Sequence, residues 1–324
     1  MFVHGIGRPR EAEPTRTEWT RALAEGARAA GHAPAISGVT GGWSVDTVFA
    51  SYGELFTGKA RPQGGGEPEL DLDDEDARMV LALVRELLDQ EAASPEHRGD
   101  RRLARAQAQL RAAEDASARA QGVLGTARIA LDACAQVAAL PAVRELAQWL
   151  SARDALRALG QPGRYLRRKE PDAAGVTLDA RIRALVRGCL DPSRPAIVVA
   201  HSLGTVVALE TLAADYPGPV PLFVTLGSPI ATKGVVWPLL RPRPPATPAC
   251  VGRWLDFADR DDVVVPRTGF AESFVPNAAG VRPEPEHLDS CRLWVHPATT
   301  YLRRPEVAGR IMEAVAALGG APAS

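Results

Sequence analysis

Pro195 to Leu209 reads PAIVVAHSLGTVVAL. Ala196 to Ala200 is a short unbroken apolar run, the length and composition of a strand buried on both faces of a parallel sheet. His201-Ser202-Leu203-Gly204 follows, and Thr205 to Leu209 resumes with residues that can open a buried helix. A serine between a buried strand and a helix, with small residues two before and two after it, is the nucleophile-elbow pattern. So tight a turn brings side chains at the flanking positions against neighbouring backbone, and here they are Ala200 and Gly204. The elbow lifts the Ser202 hydroxyl out of the sheet. The helix start beneath it offers backbone N–H groups and a positive dipole end to developing negative charge. By itself the stretch also fits an ordinary strand-to-helix turn with a capping serine.

Working outward, apolar strand-like runs alternate with helical patterns. Phe2-Val3 leads into His4-Gly5-Ile6-Gly7, whose glycines let backbone N–H groups turn toward a ligand. So short a strand gives the expectation that the natural start lies upstream of Met1. Arg16 to Ala30 carries Trp19, Leu23 and Ala27 at helical spacing. Val45 to Tyr52 alternates as a second strand. Leu178 to Leu190 is a helix with Ile182, Leu185 and Val186 inward, and Val220 to Leu226 is another buried run. Arg253 to Phe257 (RWLDF) and Cys291 to Val295 (CRLWV) read as the last two strands, and Pro305 to Leu318 as a closing helix. This alternation predicts an α/β fold, a mostly parallel doubly wound sheet, with residues 1–324 as a single domain.

Residues 60–163 interrupt that rhythm. A Pro/Gly-rich link and an acidic run (Glu69, Asp71, Asp73, Asp74, Glu75, Asp76) precede a helix with Val80, Leu83, Val84, Leu87 and Leu88 on one face. Residues 100–159 are almost wholly helical by pattern. The block is too long for a loop and reads as a helical insertion, a cap over the pocket or a surface for a protein partner. The acidic run is the solvated, dipole-matched start of a helix, with a metal site as the weaker alternative.

The chain has 324 residues, 46% hydrophobic and 24% charged, with net charge -1. That balance excludes bulk attraction to nucleic acid or anionic membrane. Cys134, Cys189, Cys250 and Cys291 are scattered without a CxxC pair, which predicts free thiols, no metal and no disulfide framework. No transmembrane segment or secretory leader is expected, so the expected location is cytoplasmic.

Serine-based hydrolysis needs a base for the serine proton and an acid to hold that base. Candidates sit after successive strands: Ser202 after VVA, an aspartate after RWLDF, His296 after RLWV. The segments FVHGIG, VVAHSLGTVVA, VTLGSPI, WLDFADRDDVV and HPATTYL resemble the α/β-hydrolase superfamily, in its lipase-like branch that includes the GPI-inositol deacylases. The resemblance covers residues 1–57 and 164–324. It implies Ser202, Asp262 and His296 as a catalytic triad, and backbone N–H groups of Leu203 and Ile6 as the oxyanion hole. It implies no cofactor. Asp262 precedes Val263-Val264 as the family's aspartate does, and His296 opens a stretch ending in Tyr301-Leu302. The chain departs from the family pattern at Ala200, where glycine is commoner, and in lacking the first strands.

Asp259 and Asp261 compete with Asp262. His287 competes with His296 but sits in a Pro/Glu-rich stretch read as loop. His201 is expected to shape the elbow and point away from Ser202. The expected activity is cleavage of a carboxylic ester, lipid-like or otherwise acyl-bearing. The same residues could serve an amidase or peptidase, or the fold could be a binding module.

Overall fold

The structure is a computed structural model that describes residues 1–6, 11–42, 45–57, 74–93, 99–119, 160–262, 264–266, 271–290 and 295–319. Phe2–Val3 forms β1, Phe49–Ala50 β2, Ile197–His201 β3, Leu222–Leu226 β4, Trp254–Asp259 β5 and Pro283–Leu288 β6. Every neighbouring pair is parallel, in the order β2-β1-β3-β4-β5-β6.

Strand side chains alternate between two cores, as period-two geometry requires. Val3, Val198, Ala200, Phe223 and Trp254 face one; Phe2, Val199, Val224, Leu255 and Phe257 face the other. The second core is covered by helix α1 (Ala12–Ala29), through Trp19, Leu23 and Ala27, and by the short helix α2 (Ile36–Thr40) through Ile36 and Val39. The helical insertion contributes α3 (Asp74–Ala93) and α4 (Arg101–Arg119), which pack together as a hairpin. Helices α5 (Leu178–Gly188) and α6 (Leu203–Ala213) pack on each other over the first core, and Leu83 of α3 joins them. α7 (Ala298–Leu302) and α8 (Pro305–Gly319) complete the second face beside α1. The fold is therefore α/β, with helices on both sides of one parallel sheet.

The insertion is tied to the main fold by polar contacts. Arg167 reaches Asp76 of α3 at 2.7 Å, both side chains almost fully buried. Glu86 of α3 accepts from the backbone N–H groups of Lys233 (2.9 Å) and Gly234 (3.0 Å), beyond β4. At the insertion's return, Arg168 pairs with buried Glu210 of α6 at 2.7 Å, and Tyr165 O–H donates to the same carboxylate at 3.0 Å. Residues 60–73, 94–98 and 120–159, together more than half of the expected cap, lie outside the described residues.

Two expectations need correction. The second strand is Phe49–Ala50, not Val45 to Tyr52, because its neighbour β1 offers only two residues to pair with. Beyond that ladder, the Tyr52 N–H turns instead to the His4 ring at 3.2 Å. The stretch around His287 is a strand, not a loop: β6 lies at the sheet's edge, where Pro283 and Pro285 withdraw no donor the interior needs. The expected strand CRLWV falls largely on residues 291–294, outside the described residues. Among the described residues, no helix is long and apolar enough to cross a membrane.

Candidate active site

The sheet order reverses between β1 and β3, so the connections leaving them diverge and open a crevice at their carboxyl ends. Ser202 stands there. Its backbone lies at φ 54° and ψ -132°, a conformation that favours glycine and that costs any other residue about 1–3 kcal/mol. The turn is held from the sheet, because the Ser202 N–H donates to Leu226 O at 3.0 Å. Gly204 is obligatory beneath it: a Cβ there would overlap the carbonyl oxygens of Val3 and His4.

His296 approaches from the segment between β6 and α7. Its Nδ1 lies 2.9 Å from Asp262 Oδ2 and 3.0 Å from Oδ1, and its Nε2 lies 3.1 Å from Ser202 Oγ. A carboxylate only accepts, so Nδ1 carries the proton and Nε2 presents its lone pair to the serine hydroxyl. Asp262 is buried, which pushes its carboxyl up, yet its pKa ends below the ordinary value. Attraction to the His296 ring when it is protonated, its hydrogen bond, the Tyr301 O–H (2.7 Å) and the Val264 N–H (3.0 Å) outweigh the burial. Tyr301 O–H also accepts from the Asp259 N–H at 3.1 Å, so the tyrosine ties β5 to Asp262.

Of the competing acids, Asp259 receives the Ser290 hydroxyl and the Asp261 N–H, shaping the turn rather than meeting a histidine. His287 is exposed on β6, paired in register with Ala258. Ser202, Asp262 and His296 are thus brought into one hydrogen-bonded row. Leu203 is the first residue of α6, where backbone N–H groups have no acceptor within the helix, and Ile6 follows Gly5.

His4 is structural. Its Nδ1–H donates to Gly5 O at 2.7 Å, its Nε2 accepts from Tyr52, and its ring stacks against Tyr52 (4.1 Å) and Phe49 (5.5 Å). Two contacts were not anticipated from sequence. His201 Nε2 lies 2.6 Å from the backbone oxygen of His296. Gly227, at φ 56°, passes so close under the His–Asp pair that a Cβ would fall 2.9 Å from Asp262 Oδ2 and 3.3 Å from His296 Nδ1. The sequence signal for Gly227 is present, a Gly-Ser-Pro at a strand's carboxyl end, but it names a turn and not what the turn must clear.

Among the described residues, no group of three or more His, Cys, Asp or Glu is placed to hold a metal ion. A separate groove lined by Met1, Phe2, Leu23, Ile197 and Ile311 lies at the amino-terminal ends of β1 and β3, away from Ser202. Comparison of the chain with family models, with curated proteins and with solved structures finds no match.

Proposed function

We propose that this protein is a serine hydrolase that cleaves a carboxylic ester of an acyl-bearing or lipid-like substrate. The observation that carries the reading is the row Ser202 Oγ–His296 Nε2 at 3.1 Å and His296 Nδ1–Asp262 Oδ2 at 2.9 Å, mounted on a strained elbow. A row of this kind lets the imidazole take the serine proton as Ser202 Oγ attacks the ester carbonyl carbon. The imidazolium that results is stabilised by Asp262, whose depressed pKa keeps it ionised. The tetrahedral oxyanion is received by the N–H groups of Leu203 and Ile6. Collapse expels the alcohol, which takes the proton from His296 Nε2, and leaves an acyl-Ser202. Water then attacks the acyl carbon with His296 as base and releases the acid.

A fluorophosphonate probe tests the reading. Wild type labels covalently and Ser202→Ala does not, while a graded panel of p-nitrophenyl esters reports acyl length. Equal labelling of the two proteins, or no labelling of either, overturns it.

A further inference from the structure

We infer that His201 is a positioning residue: through its Nε2 it anchors the backbone of His296 and so keeps that imidazole aligned on Ser202. The inference rests on the serine-hydrolase reading for its kinetic consequence, but not for the contact itself.

His201 closes β3 and is paired in register with Leu226, so its backbone belongs to the sheet ladder. His296 has no such support from secondary structure, because it lies in the segment between β6 and α7. The 2.6 Å contact between them joins the sheet to the segment that carries His296. A backbone carbonyl only accepts, so His201 Nε2 is the donor whichever charge the ring carries. The ring is oriented on its faces as well: it packs on the His296 ring at 4.7 Å and on the edge of Trp19 at 6.1 Å. His201 is buried, which strengthens the hydrogen bond and makes its loss costly. Because His201 immediately precedes Ser202, the nucleophile and the base are referred to one stretch of backbone, although 94 residues separate them in sequence. Reaction needs the Ser202–His296 contact held to a fraction of an ångström, and misplacement by about 1 Å costs on the order of 100-fold in rate.

The test uses the full chain and two variants. His201→Phe keeps a flat ring but removes the donor. His201→Gln keeps an N–H donor at similar reach. The expected result is that His201→Phe lowers kcat on a p-nitrophenyl ester, and the rate of fluorophosphonate labelling, by about 10- to 100-fold with KM little changed. His201→Gln recovers most of both. The proton NMR signal of the His296 Nδ1–H facing Asp262 broadens in His201→Phe and stays sharp in His201→Gln. If His201→Phe does not fold, His201→Asn replaces it, its shorter amide falling short of the carbonyl. Wild-type rates in the donor-less variant, or equal losses in both variants, overturn the inference. Should wild type fail to label at all, the hydrolase reading fails, and the NMR comparison still decides whether His201 anchors His296.

Discussion

A Cβ on Gly5 would fall 2.5 Å from the Cβ of Ser202 and 3.0 Å from its hydroxyl oxygen. The ends of β1 and β3 therefore share one volume, and they can do so only because residue 5 has no side chain. The loop after β1 is pressed against Ser202, the proposed nucleophile, where its next N–H, that of Ile6, would meet an oxyanion. Gly5→Ala is expected to push the loop and Ser202 apart. Fluorophosphonate labelling should fall by about 100-fold or more, with overpacking costing about 1–3 kcal/mol. Labelling at the wild-type rate by a folded Gly5→Ala protein would show that the contact is not needed.

On the proposed reading, Ser202 carries its strain for chemistry and not for the fold. A residue at φ 54° and ψ -132° is relieved by glycine and not by alanine. Both Ser202→Gly and Ser202→Ala should abolish labelling. In denaturant melts, Ser202→Gly should be the more stable of the two by about 1–2 kcal/mol. Equal midpoints would mean that the elbow's backbone is not strained in the intact protein.

The sheet and the placing of Ser202 after β3 are legible because each signal is local, whereas Asp262 stands apart from Asp259 and Asp261 only through the family resemblance. A buried run such as IVVA needs no knowledge of its neighbours, and the residue after it falls by topology at the carboxyl edge. Less legible was whatever depends on pairing. β2 reads as eight residues but pairs through two, since the length of a ladder is set by its partner β1. His287 looked like loop because two prolines precede it, yet at an edge they cost nothing and Pro283–Leu288 pairs along the whole of β5. The contacts of His201 with His296 and of Gly227 with Asp262 join residues remote in sequence, and no periodicity encodes them.

Tyr301 is expected to matter beyond its packing. Its O–H donates to Asp262 Oδ2 at 2.7 Å, one of the donors that keep a buried carboxylate ionised. Tyr301→Phe keeps the ring and removes that donor. A hydrogen bond to a charged group contributes about 1.5–3 kcal/mol, so kcat should drop by about 10- to 100-fold with KM nearly constant. The carboxyl should also be less depressed. Stability from Asp262 is present above the unfolded pKa and is lost as pH falls through the folded one, so in the variant that loss should be smaller and complete at higher pH. An acid unfolding midpoint and a kcat both unchanged by the substitution would dismiss the role.

Asp256 gives the opposite pH signature. It sits in β5 with its carboxyl buried, pushed from 3.8 up to about 7 by desolvation, which the short bond from the Thr225 hydroxyl only partly offsets. Below pH ~4 folded and unfolded chains both hold this proton. As pH rises toward 7 the unfolded chain releases it first, so the folded state binds more protons and stability falls through that window. The full cost, on the order of 4 kcal/mol, is present above it. Asp256→Asn retains an acceptor for Thr225 and cannot ionise. Its melting temperature should exceed that of wild type by a margin that grows from pH 5 to pH 8. A margin independent of pH would place the carboxyl's titration outside this range.

The insertion's hold on the site should be testable at Glu86. Both oxygens of this α3 side chain are spent on consecutive backbone N–H groups, those of Lys233 and Gly234. Those residues follow β4 in the same segment that begins with Gly227 beneath Asp262 and His296. The bond thus ties the insertion to the segment that passes beneath Asp262 and His296. Glu86→Ala removes both hydrogen bonds, and because the contact is solvent-exposed the stability loss should be small, about 1–2 kcal/mol. The larger effect is expected in local opening: amides of α3 and of residues 230–236 should exchange faster with deuterium, while those of α1 and α8 should not change. If the insertion bounds the acyl pocket, the preferred p-nitrophenyl ester should lengthen in the same variant, with labelling at Ser202 retained. Faster exchange with an unchanged chain-length profile would assign the insertion to a protein partner and not to the substrate. Unchanged exchange would show that Glu86 is not what holds α3 in place.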